Sequence, residues 1–330
     1  MYNPAFFPQD PELEERNFEK KCLRRDATYI GTISVALIFM MQNAYSFLAS
    51  ILVAVDIADP TQDFLGMGNT NFLIFYCFVY AVAMALPAIL VSIFFKKRFM
   101  PFSPVKPVSF GFAFLSIIGA AGACMVANII NNIILSYFQE MGATVTEAPS
   151  LMENTPVSYL LNLFTIAVLP ALLEEMVYRG YILRTLRPYG DFYAVFISAI
   201  LFSLMHGNLR QIPFAFLVGL VLGFLYVQTN NIFIPIVIHF INNSISVSME
   251  YLSFYLSDDA ANKLYLVVIL VLINLGIIAS LILLFTHRDK WRLRKPNSRL
   301  TFWGRIGVMF TAPLFIVTMI LYFFFLFTEM

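Results

Sequence analysis

The stretch NKLYLVVILVLINLGIIASLILLFT, residues 262–286, contains a single charged side chain, Lys263, close to its start. A helix of this length crosses the roughly 30 Å of hydrocarbon in a lipid bilayer. Backbone polar groups have no water to bond inside that hydrocarbon, so a helix, which pairs them internally, is the expected structure. The stretch therefore predicts a transmembrane α-helix.

Comparable apolar runs recur along the chain, of which 60% of residues are hydrophobic and only 12% charged. Water-soluble domains usually have about a quarter of their residues charged, so a single water-facing globule is a poor fit. The sequence predicts an all-α, polytopic transmembrane helical bundle of about eight or nine spans. The predicted spans cover residues 29–55, 71–95, 108–137, 157–174, 192–207, 213–228, 231–249, 262–286 and 305–328.

We divide the chain at residue 28. Residues 1–28 carry acidic and basic groups without an apolar core, which is unlike a cleaved secretory signal and indicates a cytoplasmic segment. A juxtamembrane helix at about 10–26 is expected there, with basic side chains that either contact anionic membrane lipids or act only as a topology signal. Residues 29–328 are predicted to form one transmembrane domain.

Basic clusters alternate with acidic loops along the sequence. By the positive-inside rule, this alternation predicts a multi-pass protein with a cytoplasmic N-terminus and an outside C-terminus, in the plasma membrane if the source is bacterial. The net charge of +1 leaves no concentrated basic surface for phosphates, so a nucleic-acid partner is excluded. The basic clusters are Arg16/Lys20/Lys21/Arg24/Arg25, Lys96/Lys97/Arg98, Arg184/Arg187 and residues 288–305.

Two adjacent carboxylates, Glu174 and Glu175, follow the apolar run of the fourth predicted span. Ionisable groups within a membrane cost about 2.5–3.5 kcal/mol at mid-helix and normally face a protein interior or a water-filled cavity. Glu175 and Arg179 are four residues apart, which predicts an ion pair, whereas Glu174 points about 100° away and is the freer acid. A site at this predicted cytoplasmic helix end would open toward the cytoplasm. The alternative is an interfacial charge cluster that only ends the helix.

Two of the three histidines, His206 and His239, also lie within predicted spans. Asn243 is four residues after His239 and shares its helix face, whereas Asn242 is turned aside. Each of these side chains alone could simply form a hydrogen bond between helices. Together with Glu174 they supply a base, a group that positions water and donors for an oxyanion, which are the parts of a water-activating hydrolase.

Other catalytic motifs are absent from the sequence. There is no HExxH, no GxSxG and no glycine-rich phosphate loop, so hydrolysis by an activated water is the expected reaction type. The third histidine, His287, lies in a basic loop and receives no role. The three cysteines suggest neither a disulfide framework nor a CxxC metal site.

Three short motifs then form a recognisable series. Residues 174–179 (EEMVYR) resemble an EExxxR motif, residues 202–206 (FSLMH) an FxxxH motif, and residues 239–243 (HFINN) an HxxxN motif. In this order they resemble the CPBP family of intramembrane metalloproteases, which contains CAAX proteases and bacteriocin-processing enzymes and is also called the Abi family. The resemblance covers about residues 155–250, the expected catalytic core.

The resemblance implies an intramembrane endopeptidase with a polar cavity open to the cytoplasm. By motif position, Glu174 would activate water and His206 would help to hold it. His239 and Asn243 would stabilise the tetrahedral oxyanion. The implied substrate is a peptide or protein tail, either prenylated and of the CAAX type or a bacterial peptide that is processed. Membrane lipids are the other expected partners, and the sequence does not indicate an oligomeric state.

The same resemblance implies that Glu175 and Arg179 are structural partners at the mouth of the site. It also raises zinc as a cofactor, for which the sequence offers at most one carboxylate and two imidazoles: Glu174, His206 and His239. Such a set is compatible with a catalytic zinc ion without requiring one.

Two further functions remain open at this point. A non-catalytic membrane scaffold or peptide-immunity protein could bind a partner in the same cavity. A proton-coupled transporter could use the embedded acids and histidines as a relay, although the sequence shows no repeated halves with matching broken helices.

Overall fold

The computed structural model describes residues 11–97, 105–142, 150–288, 291, 293–296 and 298–328. Within these ranges the regular structure is helical and contains no strand, so the all-α prediction is confirmed. The main helices are α1 (Pro11–Ala54), α2 (Asn69–Phe94), α3 (Phe110–Glu140), α4 (Pro156–Tyr189), α5 (Asp191–Met205), α6 (Ile212–Thr229), α7 (Phe233–Leu252), α8 (Asp258–Thr286), α9 (Phe302–Met309) and α10 (Pro313–Thr328).

By length and composition, fewer of the described helices qualify as spans than the eight or nine predicted. Six of them, α1, α2, α3, α4, α6 and α8, are long and apolar enough to cross a membrane, and the bent pair α9–α10 would make seven. Helix α5 is apolar but has only 15 residues. Helix α7 has 20 residues but carries a polar face, and α9 and α10 meet at 86°. Sequence hydropathy does not separate helices that face lipid from those enclosed by the bundle.

Helix α1 continues without a break through residue 28. The juxtamembrane helix predicted at about 10–26 and the first predicted span are therefore one helix over the described residues. Its N-terminal half packs on the protein, because Leu23 and Ala27 are fully buried and Arg24 donates a hydrogen bond to Thr311 at 2.9 Å. These contacts fix the segment against the start of α10.

Close backbone packing joins α3 to α8. A Cβ atom added at Gly122 would lie 2.8 Å from the Cα of Gly276 and 2.7 Å from the carbonyl oxygen of Leu272. Small residues at such a crossing let two membrane helices approach until their backbones touch. The crossing holds α8, most of whose surface is exposed, against the bundle.

We call one end of the bundle the basic end. Helix α2 finishes there, and Lys97 just beyond it forms an ion pair with Asp26 of α1 at 3.1 Å. Tyr189, the last residue of α4, donates a second hydrogen bond to Asp26 at 2.9 Å. The backbone N–H of Lys106 bonds the carbonyl of Asn230 after α6. The basic end is closely packed.

The opposite end, which we call the open end, is where α2 and α4 begin and where α3 and α7 finish. There Asn69 of α2 donates to the carbonyl of Leu151 at 2.7 Å, and Ser150 donates to Glu250 of α7. A cavity enters the bundle at this end.

The α5–α6 hairpin creates the space for that cavity. Its connecting loop meets the middle of α3, where Asn131 donates to the carbonyl of Arg210 at 3.1 Å and accepts from the backbone N–H of Phe214. Helix α3 then continues for about 13 Å to Glu140. The hairpin is therefore shorter than its neighbours. Its irregular loop is acceptable at this depth because it lines a cavity rather than facing lipid.

Candidate active site

Helix α4 carries the two central glutamates in an irregular part of its length. Residues Leu163–Val168 and Met176–Leu183 are π-helical, and the short α-helical segment Leu169–Glu175 lies between them. π-Helical turns within α-helices are frequent at functional sites, because they rotate the side chains that follow and disturb the regular backbone bonding. Glu174 and Glu175 thus occupy the middle of α4.

Glu175 is the centre of a buried charge network. Its Oε1 accepts hydrogen bonds from Arg179 Nη1 and from His239 Nδ1, both at 2.9 Å. The predicted ion pair between Glu175 and Arg179 is therefore present. Because Glu175 accepts the bond at Nδ1, that nitrogen carries a proton and the Nε2 of His239 is directed elsewhere.

The predicted position of this pair at the site mouth is wrong. Glu175 and Arg179 are 0% and 1% exposed, and Arg179 is further held by the carbonyl of Gly219 and by the ring of Phe202, 4.6 Å from its guanidinium carbon. A cation over an aromatic face is stabilised by the ring quadrupole. The pair supports the site from below.

Glu174 faces the other way, into the cavity. Its Oε1 accepts a hydrogen bond of 2.6 Å from the hydroxyl of Tyr80 on α2, and its Oε2 lies 3.8 Å from Nε2 of His239. That Oε2 is buried and has no hydrogen-bond partner among the described residues. A distance of 3.8 Å is too long for a direct hydrogen bond between these two atoms.

His206 follows the last turn of α5 at the tip of the short hairpin. Its Nδ1 lies 2.9 Å from the carbonyl oxygen of Phe202, so Nδ1 carries a proton and Nε2 is the acceptor of the neutral ring. The Phe202 ring packs edge-on against both imidazoles, with centroid distances of 5.1 Å to His206 and 6.0 Å to His239. Phe202 thus separates the two histidines within one cavity.

The two asparagines of α7 form a connected pair. Asn243 donates to the carbonyl of Ile166 in the first π-helical turn of α4 at 2.9 Å, and Asn242 donates to the Oδ1 of Asn243 at 3.1 Å. Asn243 lines the cavity as expected. Asn242 was predicted to turn aside, but it lines the same cavity.

A cavity of about 520 Å³ brings together Glu174, His206, His239 and Asn243. An outer cavity of about 870 Å³ shares part of the same wall and extends to the open end. The shared residues are Tyr76, Thr165, Ile166, Gln211, Phe214, Asn242 and Ser246. We call the outer cavity the vestibule. These volumes are in the range of ligand-binding pockets.

The structure changes one premise of the prediction that the site opens toward the cytoplasm. That argument placed Glu174 at the cytoplasmic end of a span covering 157–174, but α4 continues to Tyr189. Below Glu174, toward the basic end, Tyr178 and Ile182 are completely buried. The catalytic candidates therefore have their access from the open end, away from the basic loops.

The predicted zinc ligands do not form a set in this geometry. A catalytic zinc ion usually has three protein ligands. Glu174 and His239 approach each other, but within the described ranges no three His, Cys, Asp or Glu side chains are grouped so as to hold a metal. The residues as placed do not fit zinc.

One residue of the site was missed by the sequence argument. Tyr80 lies in an apolar run outside the three motifs, and it contacts Glu174 across 94 positions of the chain. Tyrosines are common in membrane helices, so no spacing signal marks this one.

The central segment of the chain is similar in sequence to known membrane proteases. Residues 156–245 match the profile described as type II CAAX prenyl endopeptidase, Rce1-like. The membrane-embedded CAAX protease MroQ of Staphylococcus aureus (strain USA300) is 30% identical over 98 residues, which cover 28% of this chain and 40% of MroQ. The "putative membrane peptidase YdiL" of Bacillus subtilis (strain 168) is 29% identical over 85 residues, 26% of this chain and 35% of the relative.

The aligned region thus spans less than half the length of these curated relatives. No solved structure matches the chain. The matched segment contains all of α4, α5 and α6 and most of α7, and so all three motifs, but it excludes Tyr80.

Proposed function

We propose that the chain is a member of the CAAX protease family, to which its central segment is similar, and that it is an intramembrane endopeptidase that hydrolyses a peptide bond with a water activated by Glu174. The observation that carries this proposal is the buried Oε2 of Glu174, which has no hydrogen-bond partner among the described residues and faces His239 Nε2 across 3.8 Å. One oxygen of a carboxylate in the cavity wall therefore remains without a donor from those residues.

The attacking water would lie between Glu174 and the scissile carbonyl carbon. Tyr80 holds Oε1 of Glu174, so Oε2 is the oxygen that removes the proton as the water oxygen bonds to carbon. The Nε2 of His206 is the acceptor in the neutral ring and can take a hydrogen bond from the same water. These two contacts would orient the water for attack.

The tetrahedral intermediate carries a negative oxygen that requires donors. Asn243 uses one N–H on the carbonyl of Ile166 and retains a second N–H for the oxyanion. His239 donates its Nδ1 proton to Glu175, so it would contribute a second donor, Nε2–H, only as the doubly protonated ring. Collapse then breaks the C–N bond, and Glu174 returns its proton to the leaving nitrogen.

The protein is integral to a membrane, and its substrate is a peptide or protein segment. We assign the bacterial plasma membrane as the location if the source is bacterial, with the N-terminus in the cytoplasm, from the distribution of basic residues.

Comparative peptidomics tests the activity. Cells expressing the wild type, Glu174→Gln or Glu140→Gln are compared, and peptides that differ are then incubated with each purified protein in detergent. Glu140 is an exposed glutamate at the end of α3 and provides the matched control. Products are expected with the wild type and Glu140→Gln only, while all three proteins show similar thermal unfolding.

Cleavage retained by Glu174→Gln would refute the assignment of the base. No product from the wild type, together with peptide binding, would favour the scaffold or immunity function. Proton-coupled uptake by the wild type in proteoliposomes would favour a transporter.

A further inference from the structure

The two ends of the bundle differ sharply in basic residues. Among the described lysines and arginines, only Arg210 and Lys263 lie near the open end, and Arg179 is buried in the core. The others occupy the N-terminal part of α1, the connection from α2 to α3, the end of α4, the segments between α8 and α9, and α9 itself. All of these belong to the basic end.

The open end carries carboxylates instead. Those in the described residues are Asp56, Asp59, Asp63, Glu140, Glu153, Glu250, Asp258 and Asp259. In membrane proteins the excess of Lys and Arg in short loops lies on the cytoplasmic side, and Asp and Glu contribute little to orientation. The basic end is therefore the cytoplasmic end.

The vestibule leads from the site to the opposite end. A polar stripe on α7 marks the route, because His239, Asn243, Ser246 and Glu250 follow one another at helical spacing. His239 lines only the inner cavity and Glu250 only the vestibule, whereas Ser246 lines both. The route thus ends at Glu250, where the Ser150 hydroxyl donates a hydrogen bond to the carboxylate.

From these observations we infer that the site opens to the non-cytoplasmic face of the membrane and receives an extended peptide segment presented there. The vestibule wall suits such a ligand, because it contains the side-chain amides of Asn128, Asn132, Asn162, Asn242 and Gln211. Amides offer both donors and acceptors, as a peptide backbone does. The peptide assignment rests on the proposed function, whereas the direction of opening rests on charge and geometry alone.

Cysteine labelling tests the direction. In a background with Cys22→Ser, Cys77→Ser and Cys124→Ala whose thermal unfolding matches that of the wild type, Asn132→Cys places a thiol in the vestibule and Asn17→Cys places one on α1 at the basic end. Both asparagines are exposed. Intact bacterial cells are treated with a membrane-impermeant maleimide, with permeabilised cells as the reference. Asn132→Cys should react in intact cells, and Asn17→Cys only after permeabilisation.

The reverse pattern, or equal labelling of both variants in intact cells, would overturn the inference. Asn71→Cys, an exposed position at the start of α2, serves as a second reporter of the open end if the vestibule thiol does not react in either preparation. The reaction products supply an independent measurement. Peptides that depend on Glu174 should appear outside the cytoplasm, and their confinement to the cytosolic fraction would also overturn the inference.

These outcomes separate the inference from the proposed function. Labelling of Asn132→Cys from outside without any peptide cleavage would leave the opening established and the peptidase function refuted. Peptide cleavage together with labelling of Asn132→Cys only from the cytoplasmic side would support the peptidase function and refute the direction of opening.

Discussion

The hydroxyl of Tyr80 is expected to position the catalytic carboxylate, and Tyr80→Phe removes that hydroxyl alone. The bond to Glu174 is 2.6 Å long and one partner is a carboxylate. Hydrogen bonds to charged groups contribute about 1.5–3 kcal/mol. If this contribution is needed in the transition state, kcat should fall about 10- to 100-fold. KM should change little, because Tyr80 acts through Glu174.

The assay uses purified protein in detergent and the peptide identified by peptidomics. Tyr45→Phe on α1 is the matched control, because Tyr45 packs against Phe72 and Phe75 of α2 but does not line the catalytic cavity. The control should retain wild-type kcat, and thermal unfolding of both variants checks the fold. A Tyr80→Phe protein with kcat within about two-fold of wild type, alongside an inactive Glu174→Gln, would refute the positioning role.

Three further predictions concern the buried network, the helix crossing and metal. Glu175→Gln should destabilise the protein by about 3–5 kcal/mol and lower its Tm, because it leaves the Arg179 charge buried without its partner. The double variant Glu175→Gln/Arg179→Met should recover part of the lost Tm, because it also removes the unpaired charge. Gly122→Ala should lower the free energy of unfolding by about 1–3 kcal/mol, because the added methyl clashes with Gly276. Gly111→Ala is the control, because its added methyl meets nothing within 4 Å. Chelator treatment should leave kcat unchanged, and a loss that zinc alone restores would contradict the metal-free mechanism.

Local spacing predicted the parts of the site that lie on one helix. Residues four positions apart lie on the same face of a helix, and this spacing predicted both the Glu175–Arg179 pair and the common face of His239 and Asn243. Contacts between helices carry no such local signal. Tyr80 and Glu174 meet only because α2 packs beside α4, which no spacing in the sequence indicates.

The errors in the span prediction have a related cause. The apolar run before Glu174 was taken to end a helix, because two charges normally mark a membrane surface. In the structure one oxygen of each carboxylate accepts hydrogen bonds, from Tyr80 for Glu174 and from Arg179 and His239 for Glu175, and α4 continues through them. Helix α5 is short and buried, yet its composition is that of a span. Hydropathy reports the average environment of a segment and does not report its depth.

The shortness of the α5–α6 hairpin sets a minimum length for any chain that is cleaved. From Glu250 at the rim to His239 beside the base, α7 rises about 16 Å. An extended peptide advances about 3.3 Å per residue, so roughly five residues must be free of folded structure before a bond reaches Glu174. A folded domain cannot follow them into the vestibule. Under the proposed function, cleavage would thereby be restricted to tails, leaders and unfolded loops, whatever their sequence.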